Sequence, residues 1–137
     1  MGSRRNGRII AFQAIYSWEM NANPFEDILD LPWIDKSRCY EDSLVFAKLL
    51  VNGTLQNIKT IDSQISRQIL NWDFNRLSRV DLAILRISVF SLLYQKDIPP
   101  SVTIDEAINI AREFGSDESY KFINGVLDGI RKKNDND

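Results

Sequence analysis

An all-α chain of two packed helical bundles is what this sequence predicts, and three observations predict it. Apolar residues recur at intervals of three and four through most of the chain. The breaks between periodic stretches carry helix start and stop residues. No stretch has the alternation and turn residues of a β hairpin. With 137 residues, 44% of them hydrophobic, one compact domain with a real core is expected. It spans residues 1–137, divided into an N-terminal bundle over about 1–72 and a C-terminal bundle over about 73–133.

The first helix runs from about Arg4 to Met20 and is stopped near Asn21 and Pro24. Pro24, Pro32 and scattered apolar residues suggest a short helix and a loop over residues 24–38. A second helix spans about Glu41–Asn57, with Val45, Leu49 and Asn52 or Gly53 on one stripe and Phe46 and Leu50 beside it. A third, about Ile58–Leu70, repeats Ile58, Ile61, Ile65 and Ile69. Ser78–Gln95 is apolar on several sides, which makes it the central helix, here assigned to the second bundle. Pro99 and Pro100 end it, and Thr103 with Glu106 forms a capping-box pattern for the next helix, whose Ile104, Ile108 and Ala111 face the core before a stop at Gly115. Ser116 is the expected cap of the last helix, with Ile123, Val126, Leu127 and Ile130 as its buried stripe. The polar tail from Lys132 to Asp137 is expected to fray.

Composition narrows the function classes. The chain has no histidine and a single cysteine, Cys39, so the commonest general base is missing and zinc ligands are scarce. Neither a phosphate-binding loop nor a dinucleotide fingerprint occurs. The carboxylate pairs Glu41-Asp42, Asp105-Glu106 and Asp117-Glu118 are sequence neighbours that diverge by about 100° on a helix, as helix-start charges do. The expectation is therefore no enzyme, no catalytic residue, no metal and no cofactor. The longest apolar candidate, Leu82–Tyr94, is interrupted by Arg86, and no secretory or myristoylation signal is complete, so a cytoplasmic protein is expected with an inert Cys39 thiol.

Charge is unevenly spread. The net charge is −2, yet residues 1–18 hold three arginines and no acid. An anionic partner should therefore meet a patch that includes the N-terminus. On the first helix, Ala11, Ala14, Ile15 and Trp18 fall together as a core face, whereas Arg5, Arg8, Phe12 and Tyr16 fall on the other side. Guanidinium groups beside rings suit phosphates and unpaired bases. The same pattern also fits rings packed on a second helix with solvated arginines, and periodicity leaves both open. On the last helix Glu118, Phe122, Gly125 and Gly129 share a stripe that either packs closely or binds. Arg76, Arg79, Asp81 and Arg86 cluster at the start of the central helix, as salt-bridged charges or as a partner surface.

The strings SRRNGRIIAFQAIYSWEM, RVDLAILRISVFSLLYQKDIPPSVTIDEAINIAREFG and FINGVLDGI together resemble the NusB family of bacterial transcription antitermination factors, over nearly the whole chain. The resemblance implies an all-helical protein that binds the boxA element of nascent ribosomal RNA transcripts with a small-subunit ribosomal protein, NusE. It also implies entry into an RNA polymerase antitermination complex with other Nus factors. Carried onto matching positions, it implies RNA contact by Arg4, Arg5, Arg8, Gln13, Tyr16, Glu118, Lys121 and Phe122. It implies partner contact by Asp81 with its neighbours Arg76, Arg79 and Arg86. Relatives often have a denser arginine run where this chain has Asn6 and Gly7, which implies weaker RNA affinity and a less stable first turn. Two rival readings are an N-terminal module of a ribosomal RNA methyltransferase, whose cofactor domain would have to follow Asp137, and a structural helical homo-oligomer such as a homodimer.

Overall fold

The computed structural model describes residues 3–21 and 41–135, and within them every regular element is helical. In chain order these are α1 (Ser3–Asn21), α2 (Glu41–Gln56), α3 (Ile58–Gln68), a 3-10 turn (Phe74–Arg76), α4 (Arg79–Tyr94), α5 (Pro100–Phe114) and α6 (Ser119–Asp135). Residues 24–38, for which a short helix and loop were expected, lie outside the described residues, as does Cys39.

Helix α4 organises the rest. Its buried residues run from Asp81 to Leu92 without a gap, so it is covered on all sides. It packs against α1, α2 and α3 on one side and α5 and α6 on the other, which joins the two bundles into one core. Ser78 caps it by accepting a hydrogen bond from the Asp81 amide at 3.3 Å. Helices α1 and α2 form the tightest antechamber to that core. Gly7 is buried at their crossing, where a Cβ would meet Phe46 Cδ2 at 2.9 Å and the Ser43 carbonyl oxygen at 3.0 Å. That close approach accounts for the glycine in the arginine-rich segment, and the helix is continuous through it.

Several local expectations need correction. On α2 the buried residues are Ser43, Ala47, Leu50, Val51 and Thr54, while Val45, Leu49 and Asn52 face outward. Ser43 and Phe46 meet α1 at Gly7, and the buried face follows from that crossing. Helix α5 starts at Pro100, not at a Thr103–Glu106 capping box: Pro99 is the N-cap, and proline at the first helical position has no N–H to leave unpaired. Thr103 is buried within the helix, and Glu106 is engaged by Arg5 instead. At the start of α6 Ser116 and Ser119 pair at capping-box spacing, the Ser116 amide donating to the Ser119 hydroxyl oxygen at 2.9 Å. Gly115 closes α5 with an ordinary φ of −94°, and it must be small because a Cβ would crowd the Ser119 side chain at 2.6 Å.

Candidate nucleic-acid interface

Two grooves gather the polar and aromatic side chains, one at each end of α5. They share no lining residue, and the helix between them has 15 residues, about 22 Å at 1.5 Å per residue.

The first groove lies where the start of α1 meets the start of α5, and it encloses about 410 Å³ among Arg4, Arg5, Arg8, Asp97, Pro99 and Glu106. Arg5 grips Glu106 with a two-pronged fork, Nε to Oε2 at 3.0 Å and Nη2 to Oε1 at 2.9 Å. The fork holds the Glu106 carboxyl below the usual carboxylate range. Arg8 is buried and stacks against Phe46, its guanidinium carbon 5.3 Å from the ring centroid, with Arg4 at 5.2 Å from the same ring. Burial pushes the Arg8 pKa down; Glu106 opposes this, and the Arg4 and Arg5 charges add to it. Arg8 Nη2 has no hydrogen-bond partner among the described residues. Three guanidinium groups thus face two carboxylates, an arrangement with positive charge left over for a phosphate.

The second groove lies between the 3-10 turn and the starts of α4 and α6, and it encloses about 590 Å³. Trp72, which is 65% exposed, forms one wall and Phe122 another; their ring centroids are 5.9 Å apart at 58°. Arg76 and Lys121 stand at its rim, both exposed, Lys121 beside Glu118 at 3.8 Å. Asp81 lies inside it, 9% exposed. Burial raises its carboxyl above the ordinary range, against the lowering effect of a hydrogen bond from Ser119. A shallower groove on the far side of Trp72 and Phe122 is lined by Gln68 and Gly125.

The residues expected from the sequence are distributed unevenly between these sites. Arg4, Arg5 and Arg8 come together at the first groove, and Glu118, Lys121, Phe122, Arg76 and Asp81 at the second. Phe12, for which stacking on bases and packing on a second helix were both left open, is buried and packs on Phe114 at 5.3 Å. Gln13 and Tyr16 are half-buried, Tyr16 against the core. Trp18, expected in the core, is half-buried under Arg86.

Arg79 and Arg86 are occupied internally. Arg86, its side chain 5% exposed, donates to both oxygens of Asp62 at 2.9 Å and lies 3.4 Å from Glu19. Arg79 donates to Glu19 at 2.7 Å and to the backbone carbonyl of Leu77 at 2.8 Å. Two residues were missed in the sequence: Trp72, a large ring between Asn71 and Asp73 just past a helix end, and Glu106, which meets Arg5 across 101 positions. The first had a local signal, the polar flanks of an unpatterned tryptophan; the second had none.

No helix among the described residues is long and apolar enough to cross a membrane. The family model described as the NusB family matches residues 5–132. A protein of Treponema denticola named transcription antitermination protein NusB is 48% identical over 131 residues, covering 95% of this chain and 96% of that protein. Its namesake from Treponema pallidum is 47% identical, covering 94% and 92%. Among solved structures, T. maritima NusB is similar at a TM-score of 0.86 and 38% identity, covering 95% of this chain and 91% of that one. A chain in the crystal structure of antitermination factors NusB and NusE in complex with dsRNA is similar at 0.84 and 28% identity, covering 96% and 97%.

Proposed function

Because the chain belongs to the NusB family, we propose that it is a transcription antitermination factor that binds boxA-like single-stranded RNA of nascent ribosomal RNA transcripts. It does so with the ribosomal protein NusE, and the pair joins the antitermination complex on RNA polymerase together with other Nus factors. The chain is a non-catalytic adaptor acting in the cytoplasm.

The observation that carries this reading for the chain's own residues is the convergence of Arg4, Arg5 and Arg8 on one groove, with Arg8 Nη2 left unpartnered. A buried guanidinium N–H without an acceptor is costly, and a phosphate oxygen is an acceptor matched to it in charge and geometry. Arg5, already paired with Glu106, is held in place to contribute its remaining N–H groups. At the other groove, Phe122 and Trp72 offer faces to unpaired bases, and Lys121 offers a charge to the backbone between them. Gln13 and Tyr16, half-buried on α1 beyond the arginines, are assigned to the RNA surface by the family resemblance alone.

Electrophoretic titration of boxA RNA with the full chain, alone and with NusE, tests the reading. The expected result is binding that NusE tightens. Absence of binding in both cases, at low salt, would overturn it.

A further inference from the structure

The three arginines of the first groove are held in two different ways. Arg5 is gripped by the Glu106 carboxylate of α5. Arg4 and Arg8 instead lie against one ring, that of Phe46 on α2, with guanidinium carbons 5.2 and 5.3 Å from its centroid. The spacing of α2 put Phe46 beside an apolar stripe and assigned it no part in binding.

Two cations on one ring call for a reason. Arg4 and Arg8 are four residues apart on α1, a spacing at which like charges repel, and the Arg4 charge helps to push the Arg8 pKa down. Left to themselves, such long side chains spread apart into water; the negative face of an aromatic ring draws both back. Gly7 lies on the same stripe of α1 and lets the ring in, since a Cβ there would meet Phe46 Cδ2 at 2.9 Å and Phe46 Cβ at 3.2 Å. Phe46 also packs against the core, so α2 rather than the arginines fixes its place. A ring anchored in the core, admitted by a glycine and shared by two guanidinium groups holds positive charge in position before an anion arrives. Order set in advance adds affinity, because the entropy of fixing long side chains is not lost in the binding step.

We propose that Phe46 is a positioning residue of the RNA site: its ring holds the Arg4 and Arg8 guanidinium groups at the groove for RNA phosphates without itself touching the strand. The inference rests on the RNA-binding reading above and adds to it a residue of α2. It also gives Gly7 a purpose within the arginine run, where the thinner run otherwise implies weaker RNA binding.

Titration of boxA RNA with the full chain and NusE, at fixed salt, tests it through double-mutant cycles. Phe46→Leu, which keeps an apolar side chain on the core, should weaken RNA binding by about fivefold, the scale of one cation–π contact, although the ring bears no charge. Arg4→Ala should cost less in the Phe46→Leu background than in wild type, because the ring acts through Arg4. Arg5→Ala, whose guanidinium is held by Glu106, should cost the same in both backgrounds. A general disturbance of the fold would instead couple Phe46 to both arginines alike. Phe46→Tyr, which retains the ring, should keep most of the affinity. If Phe46→Leu does not melt cooperatively, Phe46→Met carries the same cycles. An RNA affinity unchanged by loss of the ring, additivity with Arg4→Ala, or equal coupling to Arg4 and Arg5 overturns the proposal, and arginine substitutions that still weaken wild type leave the RNA reading standing. A wild type that binds no RNA, or whose affinity no arginine substitution changes, overturns both.

Discussion

Phe122 stands half in the core and half in a groove. It packs against buried neighbours, yet one edge meets the exposed Trp72 ring and two grooves open beside it. Phe122→Ala should therefore cost about 1–3 kcal/mol in RNA binding by loss of stacking. Its cost in stability should fall well short of the roughly 3–5 kcal/mol of a fully buried ring. Parallel RNA titrations and urea melts check this; a full core-sized loss of stability with RNA affinity intact would show a packing ring only. Asp81 makes a second prediction at this scale. Burial holds its carboxyl above the ordinary range, so the folded chain binds its proton more tightly than the unfolded chain. Its ionisation therefore costs stability at neutral pH, and that cost disappears as pH falls through the raised value. Asp81→Asn should be more stable than wild type at pH 7, with the gap closing on acidification in paired melts. A gap independent of pH would remove the carboxylate as its cause. Individual side chains were partly legible in the sequence: clustering in α1 marked Arg4, Arg5 and Arg8, but periodicity could not tell that Phe12 packs on Phe114 while Phe122 reaches a groove. Both rings sit at helical spacing, and only the position of neighbouring helices separates them.

Helices were more legible than their caps and faces. The three-and-four spacing in Ile61, Ile65 and Ile69 and the apolar residues on several sides of α4 correspond to buried positions. The start of α5 was misjudged because two valid start signals overlap: proline at the first helical position and the Thr103–Glu106 pattern lie within one turn of each other. The α2 face was misjudged because Ser43, Ala47 and Thr54 share the buried face with Leu50 and Val51, so apolar periodicity alone pointed to the wrong side. The glycines of the helices likewise differ by what stands opposite. A Cβ at Gly53 would collide with the Phe90 ring from α4, whereas one at Gly125 would meet nothing within 4 Å. Gly53→Ala should destabilise by about 1–3 kcal/mol through overpacking, and Gly125→Ala should stabilise by up to about 1 kcal/mol through helix propensity. Chemical denaturation reads both, and equal effects would contradict the crossing geometry. The tie between α4, α1 and α3 is Arg86, buried against Asp62 and Glu19. Arg86→Ala should cost about 3 kcal/mol or more, since it strands Asp62 beside the core and leaves Glu19 to Arg79 alone. A near-neutral melt would show that they rehydrate freely.

At the scale of the whole molecule, an arginine groove lies at the start of α5 and an aromatic one beyond its end. Under the proposed function the guanidinium groups of the first groove hold phosphates regardless of sequence, and the rings of the second stack on bases. This pairing of grooves was not legible in the sequence, because Arg5 meets Glu106 and Trp72 meets Phe122 only through the folded core. The central claim is that the arginine groove holds RNA phosphates. The dependence of RNA affinity on salt, compared between wild type and Arg4→Ala, Arg5→Ala and Arg8→Ala, tests it most directly, because each lost phosphate contact releases fewer counterions. Each variant should lower the magnitude of the slope of log affinity against log salt by about 0.7, and a slope unchanged in all three would contradict the account.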